Sequence, residues 1–85
     1  YDEFVKEKNT GVPLSFAVLE IFREEGDSPF VKKITDIYGS YYALLPNGKY
    51  FIKIKRKEID ETYTEIFKTQ LIDVSNGIIN QDFEI

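Results

Sequence analysis

Five clusters of turn-forming residues divide this chain at short intervals, and that spacing restricts the fold more than any other feature of the sequence. Asn9-Thr10-Gly11 stands just before Pro13, and Gly26-Asp27-Ser28-Pro29 follows. Then come Asp36-Ile37-Tyr38-Gly39, Pro46-Asn47-Gly48 and Ser75-Asn76-Gly77. Gly and Asn tolerate positive φ, and Pro presets φ for a turn, so each cluster has a physical means of reversing the chain. The runs between them are mostly about six to ten residues, the length of strands rather than of helices.

The runs also alternate. Ala17, Leu19 and Ile21 fall on one side, with Val18, Glu20 and Phe22 on the other. Tyr50, Ile52 and Ile54 point one way, and Phe51, Lys53 and Lys55 the other; near the end, Phe83 and Ile85 alternate with Asp82 and Glu84. A period of two means one buried and one wetter face. The expected core is therefore Ala17, Leu19, Ile21, Tyr41, Tyr50, Ile52, Ile54 and Phe83. Residues 15–25 carry a partial helical face in Phe16, Leu19, Phe22 and Arg23, but Phe, Val and Ile dominate the segment and it reads as strand. Residues 44–50 read as a hairpin tip around Pro46-Asn47-Gly48. Residues 57–62 are charged and lack alternation, so they read as a loop or bulged crossing. The expectation is one all-β domain, an antiparallel sandwich or small barrel.

Composition removes several function classes. The 85 residues include no Cys and no His, which excludes disulfides, thiolate chemistry, Cys/His zinc sites and Ser-His-Asp catalysis. The net charge of -4 argues against a nucleic-acid partner, which calls for a positive face, and no apolar run is long enough to insert into a membrane. The short basic cluster Lys53, Lys55, Arg56 and Lys57 is followed at once by Glu58, Asp60 and Glu61, and reads as a solvated strand face. The acids Glu24, Glu25 and Asp27 with Ser28 match no calcium-loop spacing and read as loop acidity. No cofactor and no catalytic constellation is expected.

Four short motifs then occur in order. Gly11-Val12-Pro13-Leu14-Ser15-Phe16-Ala17-Val18-Leu19-Glu20-Ile21 resembles the opening of carboxypeptidase regulatory-like domains. Thr35-Asp36-Ile37-Tyr38-Gly39-Ser40-Tyr41 resembles a turn of that family, Leu45-Pro46-Asn47-Gly48-Lys49-Tyr50 its hairpin, and the stretch from Ser75 to Phe83 its Gly-led last strand. The resemblance covers the chain from Gly11 onward. It implies a transthyretin-like (prealbumin-like) Greek-key β-sandwich of about seven strands. It also implies a non-catalytic spacer or interaction module beside the neighbouring domains of a larger exported or cell-surface protein. Family members begin with a full strand, for which only residues 1–5 remain here. A cut or shortened first strand would leave an open edge at which a second copy could pair. A related group of surface modules joins a first-strand Lys to a last-strand Asn; Lys6 or Lys8 and Asn80 are nominal counterparts, without the first-strand Lys pattern.

The physical roles of the motif residues stand apart from the family. Asp36, three residues before Gly39, is placed to accept N–H groups across a turn. Gly39 and Gly48 are expected at positive φ, and Pro46 fixes the start of its turn. Tyr50 is expected to bury its ring and hydrogen-bond its hydroxyl. Outward aromatics are the remaining candidates for recognition. Tyr42 and Phe51 are expected as an exposed pair on neighbouring strands, with Phe22 outward on its own. They would form a stacking platform for a polysaccharide or a docking patch for a protein, or simply a cross-strand pair that stabilises the sheet.

Overall fold

The computed structural model describes residues 3–75, 77–79 and 81–85. Among them are eight strands and no helix: β1 (Glu3–Lys6), β2 (Val18–Arg23), β3 (Val31–Ile34), β4 (Ser40–Tyr41), β5 (Gly48–Lys57), β6 (Tyr63–Lys68), β7 (Ile72–Val74) and β8 (Phe83–Glu84). They form two sheets, an all-β arrangement consistent with a sandwich.

The larger sheet runs β3-β2-β5-β6, and β7 pairs with β5 beyond the end of β6. Its centre is the β2/β5 pair, in which Leu19 faces Ile54 and Ile21 faces Ile52. Those four side chains are fully buried, each removing enough apolar surface from water to contribute about 1.5–3 kcal/mol. β6 and β7 occupy one lane because Thr69 bridges them: its N–H donates to the Ile52 carbonyl at 2.9 Å, and its Oγ1 accepts the Ile52 N–H at 2.9 Å. Residues 58–62 close the β5/β6 hairpin, with the Glu58 N–H on the Thr62 carbonyl at 2.7 Å. The loop read from the sequence is there, except that Lys57 still belongs to β5.

The smaller sheet runs β4-β1-β8. β1 is its central strand, antiparallel to β4 and parallel to β8. The open edge expected at the first strand is therefore not found among the described residues; Tyr1 and Asp2 lie outside them, as do Asn76 and Asn80. Residues 12–14 add to the β4 side of β1: the Glu7 N–H donates to the Val12 carbonyl and the Leu14 N–H to the Val5 carbonyl, both at 2.9 Å.

The hairpin expected over residues 44–50 is also replaced. Leu44 bridges Ile78, and the Leu45 N–H donates to the Gly77 carbonyl at 2.7 Å. The Pro46-Asn47-Gly48 turn carries the chain from the side of the small sheet to the large one. Its flanking residues pair with other segments because β5 begins at Gly48 between β2 and β7. Tyr50 secures the crossing: its ring is buried and its hydroxyl donates to the Pro46 carbonyl at 2.6 Å. Gly48, at φ 157°, is close to extended.

Between the sheets lies one core to which both contribute. Val5, Tyr41 and Phe83 come from the small sheet, and Leu19, Ile21, Tyr50, Ile52 and Ile54 from the large one. Ala17, just before β2, joins them.

Candidate functional site

The aromatic residues on the outer faces of the two sheets are the candidates for recognition, and the two faces are built differently. On the large sheet, Phe22 of β2 is the register partner of Phe51 of β5. Their rings stack at 4.8 Å with 2° between planes. Lys53 places its ammonium 5.0 Å from the Phe22 ring centroid, and Lys68 does the same over Phe51 at 5.0 Å. The ring quadrupole attracts a cation placed over its face. The lysine stems also shield the rings, so Phe22 is only 5% exposed although it stands on the outer face.

Ion pairs continue the pattern. Glu20 receives Lys55 from β5 at 2.9 Å and Lys32 from β3 at 3.6 Å, a bridge across three strands; Lys53 lies 3.9 Å from Glu65 on β6. Cross-strand charge pairs of this geometry stabilise a sheet modestly. Lys32, Lys53, Lys55 and Lys68 are thus engaged with acids and rings of the same face.

Tyr42 is elsewhere. It follows β4, is 44% exposed, and belongs to the segment running beside the small sheet. The expected Tyr42/Phe51 pair does not form, because the chain crosses to the large sheet after Tyr42 instead of folding back as a hairpin. The three aromatic candidates therefore divide: Phe22 with Phe51, and Tyr42 apart.

The small sheet carries open aromatic rings along a groove. Phe4 and Tyr38 are 42% and 67% exposed, and with Lys6, Gly11 and Pro13 they line an open groove of about 300 Å³. Loop 36–39 holds Tyr38 in place. Asp36 Oδ1 accepts the N–H groups of Tyr38 at 2.8 Å and Ser40 at 3.0 Å, and Oδ2 accepts the Ser40 hydroxyl at 2.6 Å. The Ser40 hydroxyl, followed by the backbone N–H donors, holds the Asp36 carboxyl below its ordinary pKa. Gly39 adopts φ +74°, and a Cβ there would stand 2.5 Å from the Val5 carbonyl oxygen, so only glycine lets this loop lie against β1. Neighbouring loops add exposed apolar groups. Phe16 has φ 56°, rare for a bulky residue, and is 51% exposed; the Ser15 hydroxyl ties its loop to the Ile37 carbonyl at 2.7 Å.

Sequence reading missed this groove. Phe4 lies in the segment expected to hold a cut or shortened first strand, and Tyr38 in a cluster that reads as a turn. The visible signal is a pair of large apolar residues, Ile37 and Tyr38, at the centre of a four-residue turn.

Other polar groups work within the scaffold. Asp82 accepts the Phe4 N–H at 2.9 Å, which is the main reason its carboxyl is held below the usual range. Thr35 is buried, donating to the Leu14 carbonyl at 2.6 Å and accepting the Ala17 N–H at 2.9 Å. Tyr41 donates its hydroxyl to the Gln81 carbonyl; burial, then the nearby Glu3 and Asp82 carboxylates, push its pKa upward. Glu24, Glu25 and Asp27 are exposed loop acids, and among the described residues no group of three acids is placed to hold a metal. Comparison with protein families, with curated proteins and with solved structures gives no match.

Proposed function

We propose that this chain is a non-catalytic accessory module, a spacer or interaction domain set in series with the neighbouring domains of a larger exported or cell-surface protein. The proposal includes a transthyretin-like Greek-key arrangement of the two sheets. The ordered motifs from Gly11 to Phe83 support that assignment by resemblance, and fold analogy by itself does not define a function. The observation that carries the spacer reading is the parallel pairing of β1 with β8. Strands that begin and end a domain side by side and in the same direction let a longer chain enter at one end and continue from the other. The described ionisable and hydroxyl groups at the turns, Asp36, Thr35, Ser40, Asp60 and Asp82, are spent on holding loops and strands.

Small-angle scattering of the parent protein, with and without this domain, tests the reading. A spacer lengthens the particle by an amount comparable with the domain's own 27–34 Å dimensions. A domain folded back against its neighbour leaves the maximum dimension unchanged and overturns it.

A second reading rests on the open groove between Phe4 and Tyr38: recognition of a polysaccharide by aromatic stacking. Titration with neutral and anionic polysaccharides, followed by amide shifts, is expected to perturb residues 4–13 and 36–40 in the native protein and to lose that response in Tyr38→Ala. Silence across the panel removes this reading.

A further inference from the structure

The parallel β1/β8 pair has a mechanical consequence. Val5 stands opposite Phe83 and Lys6 opposite Glu84. Tension on a chain running through the domain pulls β1 backward along its axis and β8 forward along the same axis. The two strands are then loaded in shear, with their hydrogen bonds lying across the direction of force. Bonds loaded this way share the force and fail together, whereas a hairpin peeled from its open end loses them one at a time. The remaining strand pairs among the described residues are antiparallel.

We propose that the domain is a tension-bearing element, with the β1/β8 pair as its mechanical clamp. This rests on the reading of the chain as a module in series. The pair is secured beyond its two registered residues. The Ile85 N–H donates to the Lys6 carbonyl at 3.0 Å, and the Lys8 N–H to the Ile85 carbonyl at 2.9 Å. The Asp82 carboxylate grips the Phe4 N–H at 2.9 Å, adding a charge-assisted bond across the same seam. The Tyr41 hydroxyl, reaching over from β4, holds the Gln81 carbonyl. β1 also cannot slip on its far side without breaking the Val5 N–H bond to Gly39 at 2.8 Å and the Leu14 N–H bond to Val5 at 2.9 Å. Val5 and Phe83 are both buried, so sliding either strand draws apolar side chains out of the core.

Single-molecule stretching tests this. Forced unfolding reads the rate of crossing the unfolding barrier, which depends on where the load is applied. The protein has no native Cys, so paired cysteines give unique handles. One attachment is at the two ends of the domain. The other is at Ile34→Cys and Lys57→Cys, which lie at the same end of the large sheet and peel β3 away from β2. The expected result is a rupture force several-fold higher end to end than in the peeling direction. Asp82→Ala and Lys8→Pro, both at exposed positions, should each lower the end-to-end force and leave the peeling force unchanged. Equal forces in the two directions, or an end-to-end force indifferent to both variants, overturn the proposal. The scattering experiment reads the position of the domain in its parent, whereas force anisotropy belongs to the domain alone, so the two failures are distinguishable.

Discussion

The outer faces of the two sheets both carry aromatic rings, but the centre of the large sheet has closed over its pair and the small sheet has not. On the large sheet the Phe22/Phe51 stack lies under the ammonium groups of Lys53 and Lys68, and an ion-pair bridge through Glu20 runs beside it. On the small sheet Phe4 and Tyr38 stand open along a groove. The difference follows from strand length. β2 and β5 share six registered residues, long enough for side chains on neighbouring strands to cover one another. β1 and β4 share two, so the small sheet cannot roof its own outer residues. An outward aromatic is thus covered at the centre of the broad sheet and available on the narrow one or at a sheet edge, where Tyr63 of β6 is 43% exposed.

The sharpest way to break this contrast is to truncate one ring on each face. Phe22→Ala removes a ring that is almost fully covered, and should lower unfolding stability by about 3 kcal/mol. Phe4→Ala removes a half-open ring and should change it by about 0.5 kcal/mol or less. Urea denaturation of the two variants measures both. Equal losses would mean that Phe4 is as structural as Phe22, and the two faces would no longer differ in kind.

A smaller effect is expected at the loop that makes the open face. Gly39→Ala places a Cβ against the Val5 carbonyl oxygen in a left-handed conformation, and should cost about 2 kcal/mol. The same denaturation measurement applies. The comparison sharpens if the groove is disturbed as well: amide shifts should then move along β1 and residues 36–40, and stay fixed along β2 and β5.

The contrast also explains what the sequence reveals and what it hides. The alternation through Leu19, Ile21, Tyr50, Ile52 and Ile54 is legible because those residues lie on strands of six and ten residues, where a period of two has room to repeat. β4 and β8 are two residues each and show no period. β1 finds its partners at Tyr41 and Phe83, far along the chain, so nothing local identifies it as a central strand. The hairpin expected at Pro46-Asn47-Gly48 illustrates the same limit. The turn residues are present, but which strands they join depends on Leu44 meeting Ile78. For recognition, the aromatic residues were visible, yet exposure was not. Phe22 looks outward by alternation and is buried by its cross-strand neighbour and a lysine stem, while Tyr38 looks like turn filler and is the most open tyrosine of the described set.

The smallest predicted effect concerns acid. The small sheet depends on carboxylates at two seams: Asp36 holding the loop before β4, and Asp82 holding β8 to the start of β1. Both carboxyls are held below their ordinary pKa by the hydrogen bonds they accept. Because the folded values lie below the unfolded ones, the unfolded chain binds more protons in the interval, and stability rises with pH across it. Their contribution is therefore complete above the unfolded carboxyl pKa, about 4, and is lost as pH falls through the folded values. Asp60 is lowered too, chiefly by the Thr62 hydroxyl, but it braces only a hairpin tip whose strands are already paired along their length. Amide exchange, corrected for its intrinsic pH dependence, should thus lose protection at β1 and β4 before β2 and β5 as the solution is taken below about pH 4. Asp36→Asn keeps an acceptor but cannot titrate, and should flatten that early loss at β4, whereas Asp60→Asn should leave it unchanged. Simultaneous loss across both sheets would show that the narrow sheet is no weaker than the broad one. The open face would then have to be explained by its side chains alone.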